Sequence, residues 1–143
     1  MTDLNEKFLP PQDMPEFHKP FWAGLKEHRL LLQKCDQGHM RFVPTEICQH
    51  CGSETWSWHE VSGKGSVYTY TVVHRGPTPA YQKDVPYVIA HVELEEGPRM
   101  IGNLIGCEPT EVHIGMPVRV TYDDVSAEWT LYKFMPASRQ GEA

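Results

Sequence analysis

The stretch Cys35-Asp36-Gln37-Gly38-His39, followed nine residues on by Cys48-Gln49-His50-Cys51-Gly52, constrains this chain more than any other feature. Cys48 and Cys51 lie three positions apart with a glycine behind them. That is the form of a metal knuckle, in which two thiolates converge and backbone N–H groups turn toward sulfur. The first half supplies Cys35 but has Gly38 and His39 where a second cysteine and its glycine would stand. A structural zinc wants four ligands, and His39 completes a Cys35, His39, Cys48, Cys51 set if the intervening loop tightens; His50 is the weaker substitute. The competing reading is a ribbon without metal, resting on Phe42, Ile47 and Trp56.

Four cysteines would also allow two disulfides, but three cluster at metal spacing in a sequence with no recognisable secretion signal. The N-terminus MTDLNEKFLPPQDMP lacks a basic segment followed by an apolar one, and no apolar run approaches the roughly 18 residues that span a bilayer. The expectation is a cytoplasmic chain with no membrane partner. Cys107, alone in IGCEPTE, reads as a small buried or loop residue.

With 143 residues the chain has room for one modest core or two small modules. Acids outnumber bases nine to six before Val61 and ten to seven from there on, so neither half offers a groove for a polyanion. Three prolines mark residues 1–16 as an extended arm. Phe17, Phe21, Trp22, Leu25 and His28 or Arg29 recur at three- and four-residue steps, predicting an amphipathic helix that ends near His28. Its aromatic face either docks on the chain's own core or meets a partner.

RLLLQKC then predicts a strand that delivers Cys35, and MRFVPTEIC the return strand that brings back Cys48. Beyond the knuckle, TWSWHEVSGKGSVYTYTVVHR is strongly β, with Ser62 to Gly65 as a turn or bulge. YVIAHVEL alternates Val88, Ala90, Val92 and Leu94 against Tyr87, Ile89, His91 and Glu93, a half-buried strand. RMIGNLIG, PVRVTYDDV and WTLYKFMPA complete the strand set, EEGP forms a hairpin turn, and EPTEVHIGMP is a longer connection with a helical turn. Five short strands without a central helix predict a closed OB-type barrel, since closure removes aggregation-prone edges. The fold class expected is mainly β: an arm over 1–16, helix and ribbon over 17–60, barrel over 61–137 and a tail over 138–143.

In this order, PFWAGLKEHRLLLQKC, the ribbon, SGKGSVYTYTVVHRGPTPAY, VPYVIAHVELEEGPRMIGNL, IGMPVRV and LYKFMPA resemble the zinc-ribbon OB-fold proteins known as domain of unknown function 35, over residues 15 to 137. The resemblance implies a rubredoxin-like zinc ribbon joined to an OB barrel. It also implies an accessory subunit or fused domain of a thiolase-like acyl-CoA enzyme, of acetyl-CoA acetyltransferase or steroid side-chain aldolase type, or of a related acyl-CoA hydratase. In such a hetero-oligomer the partner carries the chemistry.

A catalytic constellation is not legible in this sequence. Its eight histidines are scattered, and the adjacent acids Asp123 and Asp124 point to opposite faces of a strand. Tyr68, Tyr70, Tyr87, Trp129 and Tyr132 would suit base stacking on an OB barrel, but with seven Lys or Arg against ten acids beyond residue 60 there is no basic groove, and nucleic acid is not the expected ligand. The stretch from His74 to Pro86 is too long and proline-rich for a tight hairpin, and reads as a contact loop for a partner or for CoA phosphates. Arg75, Tyr81, Lys83 and Arg99 are the candidate contact residues.

Overall fold

The computed structural model describes residues 6–138; residues 1–5 of the arm and 139–143 of the tail lie outside the described residues. A 3-10 turn, Glu16–His18, leads into helix α1, Lys19–Lys26, where Pro20 in the first turn supplies a preset φ and needs no hydrogen-bond partner. The helix closes when the Arg29 N–H returns to the Gly24 carbonyl and the His28 N–H to that of Leu25. His28 sits in the left-handed region at φ 57°, where glycine is the usual residue. Its side chain explains the choice. The ring stacks on Tyr122 at 4.9 Å, and Nε2 meets both carboxylate oxygens of Asp124 at 3.0 and 3.1 Å, fixing the helix end to the barrel.

Strands β1 (Leu31–Cys35), β2 (Met40–Arg41) and β3 (Trp56–Glu60) form a three-stranded antiparallel ribbon in the order β2-β1-β3. One expectation needs correction here. The return strand is only two residues long, because the chain leaves the sheet at Phe42 and Pro44 has no N–H to give to a ladder. Trp56 to Glu60, inside the 17–60 span expected for helix and ribbon, is the third ribbon strand, paired with β1 from Leu31↔Glu60 to Cys35↔Trp56.

The five remaining strands are β4 (Lys64–Val73), β5 (Tyr87–Leu94), β6 (Arg99–Leu104), β7 (Pro117–Asp124) and β8 (Thr130–Pro136). They close as β4-β5-β6-β8-β7, the expected OB-type barrel. Within β5 the alternation holds: Val88, Ala90, Val92 and Leu94 are buried. The loop before β5 carries a short helix, α2 (Pro79–Gln82), and a 3-10 turn at Pro109–Glu111 fills the expected helical turn before β7.

Ribbon passes into barrel at two tight glycines. A Cβ on Gly63, at φ +74°, would sit 2.2 Å from Val120 Cγ1, and one on Gly65 would sit 2.3 Å from the Glu93 carbonyl oxygen. Only glycine lets β4 pass so close to its neighbours there. A single core runs through both modules, from Phe21, Leu25, Leu30 and Leu32 to Val67, Val92, Met100, Val118 and Phe134. Trp22, Phe42, Trp58 and Tyr132 pack against it. Among the described residues no helix is long and apolar enough to cross a membrane.

Candidate metal centre and contact surfaces

The hairpin between β1 and β2 is tight: the Gly38 N–H donates to the Cys35 carbonyl and the Cys35 N–H to the His39 carbonyl. Cys35 and His39 thereby face one another across the turn. Opposite them, the Gly52 N–H donates to the Cys48 carbonyl and the Cys48 N–H to that of Ser53, curling Cys48 to Ser53 into the second knuckle.

The four side chains meet. Cys35 Sγ lies 3.4 Å from His39 Nδ1 and 3.8 Å from Cys51 Sγ, and Cys48 Sγ lies 3.7 Å from His39 Nδ1. All four ligand atoms fall within 4.8 Å of one another. A tetrahedron with Zn–S near 2.3 Å and Zn–N near 2.0 Å requires about 3.8 Å between sulfurs and about 3.6 Å between sulfur and nitrogen. These three spacings match. Cys35, His39, Cys48 and Cys51 are thus positioned to hold a metal ion as a Cys₃His set, with His39 standing beside the place of a second cysteine.

The electrostatics favour thiolates at the two buried cysteines. Burial pushes the Cys35 thiol up, but the backbone N–H groups of His39 and Gln37, helped by the His39 ring, outweigh it and hold it below its ordinary value. At Cys48 burial again acts upward, and the N–H groups of Cys51 and His50 outweigh it. Cys51 is different. The Ser53 N–H lowers its thiol, while burial and the neighbouring Cys48 and Cys35 leave it raised overall. These are the amide-to-sulfur contacts that a knuckle glycine makes room for.

His50 does not join the set; its exposed ring lies 5.0 Å from that of His39, centroid to centroid, on the outer side. Nor is the ribbon held in the way a metal-free reading requires. Ile47 is 49% exposed, and Phe42 packs on Phe21 and Tyr132 instead of within the ribbon. The loop after β2 is pinned by Gln33, 1% exposed, whose Oε1 accepts from Arg41 Nε at 2.9 Å and from the Thr45 N–H at 2.8 Å.

The four candidate contact residues do not form one cluster. Arg75 and Lys83 are exposed on the β4–β5 loop, which is tied across itself by the Gly76 N–H to Gln82 Oε1. Tyr81 on α2 lies beneath Lys7 of the arm, with Nζ 5.7 Å from the ring centre. Arg99 starts β6, opposite Glu93 at the far end of β5, and lies 3.7 Å over the Tyr68 ring. Eight residues of β5 at about 3.3 Å each part it from the loop. The described part of the arm lies on its own barrel: Lys7 pairs with Asp84 at 2.5 Å and Gln12 Nε2 donates to Glu128 at 3.2 Å. Trp22 is committed too, edge-on to Phe21 and to Trp129.

Comparisons agree with this architecture. Residues 22–57 match the family described as the ChsH2 rubredoxin-like zinc ribbon domain, and residues 58–123 that described as the ChsH2 C-terminal OB-fold domain. A solved structure titled Ltp2-ChsH2(DUF35) aldolase superposes with a TM-score of 0.78 at 38% identity, covering 89% of this chain and 99% of that one. A probable enoyl-CoA hydratase alpha subunit of Thermomonospora curvata is 40% identical, over 99% of this chain and 44% of its own length. A DUF35 domain-containing scaffold protein of Methanocaldococcus jannaschii is 42% identical, over 71% of this chain and 73% of its own. The benzoylsuccinyl-CoA thiolase subunit BbsA of Geobacter metallireducens is 30% identical, over 65% and 64%. The chain spans less than half the length of the hydratase alpha subunits it matches.

Proposed function

The chain belongs to the ChsH2 family of zinc-ribbon OB-fold (DUF35) proteins, and from that premise we propose that it is a non-catalytic accessory subunit of a thiolase-like acyl-CoA enzyme, acting in the cytoplasm. One observation carries the reading. At 38% identity it matches 99% of a chain from a structure titled as an aldolase in which a DUF35 protein accompanies Ltp2. The thiolase subunit and the scaffold protein among its relatives support the same role.

The groups that would have to do chemistry are engaged elsewhere. Asp123 pairs with Lys133 at 2.7 Å, Asp124 accepts from Thr130 Oγ1 at 2.6 Å as well as meeting His28, and His91 packs edge-on against Tyr68. What remains suited to a partner or to CoA phosphates is the β4–β5 loop, with Arg75 and Lys83 exposed beside Tyr81. In this arrangement the zinc holds the ribbon rigid and the barrel presents the loop.

The name of the Thermomonospora relative favours a second reading, in which the chain serves an acyl-CoA hydratase as part of its alpha subunit. Co-expression with candidate thiolase-like and hydratase partners separates the two. The expected outcome is one stable hetero-oligomer with the thiolase-like protein, weakened by Arg75→Ala; truncating an anchor costs roughly 2 kcal/mol or more, about thirtyfold in affinity. Separate elution at micromolar concentration, or full activity of the thiolase-like protein alone, refutes the first reading.

A further inference from the structure

At the end of the barrel where β6 finishes lies a cleft of about 570 Å³, within the roughly 300–1,000 Å³ range of small-molecule sites. Its floor is apolar, formed by Val88, Leu104 and Leu131, with Ile105 and Cys107 on one wall and Tyr81, Pro86 and Tyr87 on another. Phe8 and Leu9 of the arm border its mouth.

Three features set it apart from an ordinary crevice. Of the ten exposed large hydrophobic side chains among the described residues, Phe8, Leu9, Ile105 and Val125 all line this one cleft. Its charged groups are paired: Lys7 with Asp84 and Lys133 with Asp123, while Asn103 Nδ2 reaches toward the Val88 carbonyl at 3.4 Å. With each ammonium already beside a carboxylate, an anionic group meets little net positive charge there, while an apolar group only displaces water. Finally, Tyr81, Tyr87, Pro86 and Pro109 put rigid rings along its walls, and the arm is tied beside them by Lys7 to Asp84 and by Gln12 to Glu128.

We propose that this cleft is a binding site for an uncharged apolar ring system, the hydrophobic part of a small molecule, with Phe8 and Leu9 closing over it. The inference stands on the cavity itself and does not depend on which enzyme the chain accompanies.

The test uses the full chain, loaded with zinc, and N-phenyl-1-naphthylamine as an uncharged aromatic probe. Its fluorescence should rise saturably to one probe per chain. Methyl NMR resonances of Leu9, Ile105, Val125 and Leu131 should shift, while those of Ile47 and Ile114, exposed outside the cleft, stay in place. Ile105→Glu puts a charge on the wall at a position 41% exposed, so the fold should survive and probe affinity should fall tenfold or more. Leu131→Gln gives a second variant with the same expectation should the first fail to fold. Fluorescence that rises without saturating, shifts at Ile47 and Ile114 as large as those in the cleft, or undiminished binding in a folded variant would overturn the proposal.

Discussion

Phe21→Ala is the perturbation that best tests how the ribbon is joined to the barrel. Phe21 is 3% exposed and touches rings from three directions: Trp22 beside it on α1 at 5.3 Å, Phe42 from the ribbon at 5.8 Å and Tyr132 from β8 at 6.0 Å. Two of these pairs, with Trp22 and Tyr132, are edge-to-face, an arrangement that adds about 0.5–1.5 kcal/mol each beyond area burial. Truncating a core Phe to Ala costs about 3–5 kcal/mol. The upper half of that range applies here, because helix, ribbon and barrel cannot all move in to fill one hole. A chain of this size with about 5–15 kcal/mol in hand loses roughly a quarter or more of its stability at about 4 kcal/mol. At about 3 °C per kcal/mol the melting temperature should fall by roughly 12 °C, read by near-ultraviolet circular dichroism on zinc-loaded protein. The metal ligands lie on other segments, so zinc content should stay near one per chain. A fall of less than about 4 °C with zinc retained would show that the aromatic cluster is not the joint and that Leu25, Leu30 and the His28–Asp124 contact suffice.

Two further outcomes follow from the same geometry. His39→Ala should weaken zinc binding by more than the roughly 10–100-fold that loss of an outer-shell partner costs, measured by competition with a chromophoric chelator, while His50→Ala should leave it unchanged. Asp124 is held below the ordinary carboxylate value, first by the Thr130 hydroxyl and then by His28, so the folded chain binds that proton less readily than the unfolded one. Its contribution is therefore complete above the unfolded value near 3.9 and is lost as pH falls through the lower folded value. Wild-type stability should show an acid limb in that window which Asp124→Asn, followed by urea titration against pH, reduces.

The parts of this fold that were legible are those set by neighbours in sequence. The alternation in Val88 to Leu94 places one face of β5 inside whatever it pairs with, and Gly63 and Gly65 announce a close passage because no other residue fits there. The parts that were not legible are long-range choices. MRFVPTEIC has the composition of a full strand, yet only Met40 and Arg41 find partners on β1, opposite Lys34 and Gln33. Arg99 and Arg75 look equally available along the chain, yet the β5–β6 register carries Arg99 to the opposite end, beside Glu93 and Tyr68. The cleft is hidden for the same reason, since its lining comes from the arm, β5, β6, β8 and three loops, and it forms only where the barrel brings these separate stretches together.

The fourth metal ligand shows where local reasoning ends and backbone geometry decides. By spacing alone, His39 and His50 are both close to a cysteine and both chemically competent. In the second knuckle, however, Cys48 and Cys51 must converge on one point, and a residue lying between them on so tight a curl, closed by the Gly52 N–H, has its side chain turned outward. His50 is exposed for that reason. His39 stands on the other side of the β1–β2 turn, where the bond from the Cys35 N–H to its own carbonyl sets it opposite Cys35, and Nδ1 reaches inward to 3.4 Å from Cys35 Sγ. Loss of the second cysteine from the first knuckle therefore need not abolish the site, because a hairpin brings its flanking residues face to face whatever their identity, and an imidazole at His39 reaches inward to the sulfurs from one position later.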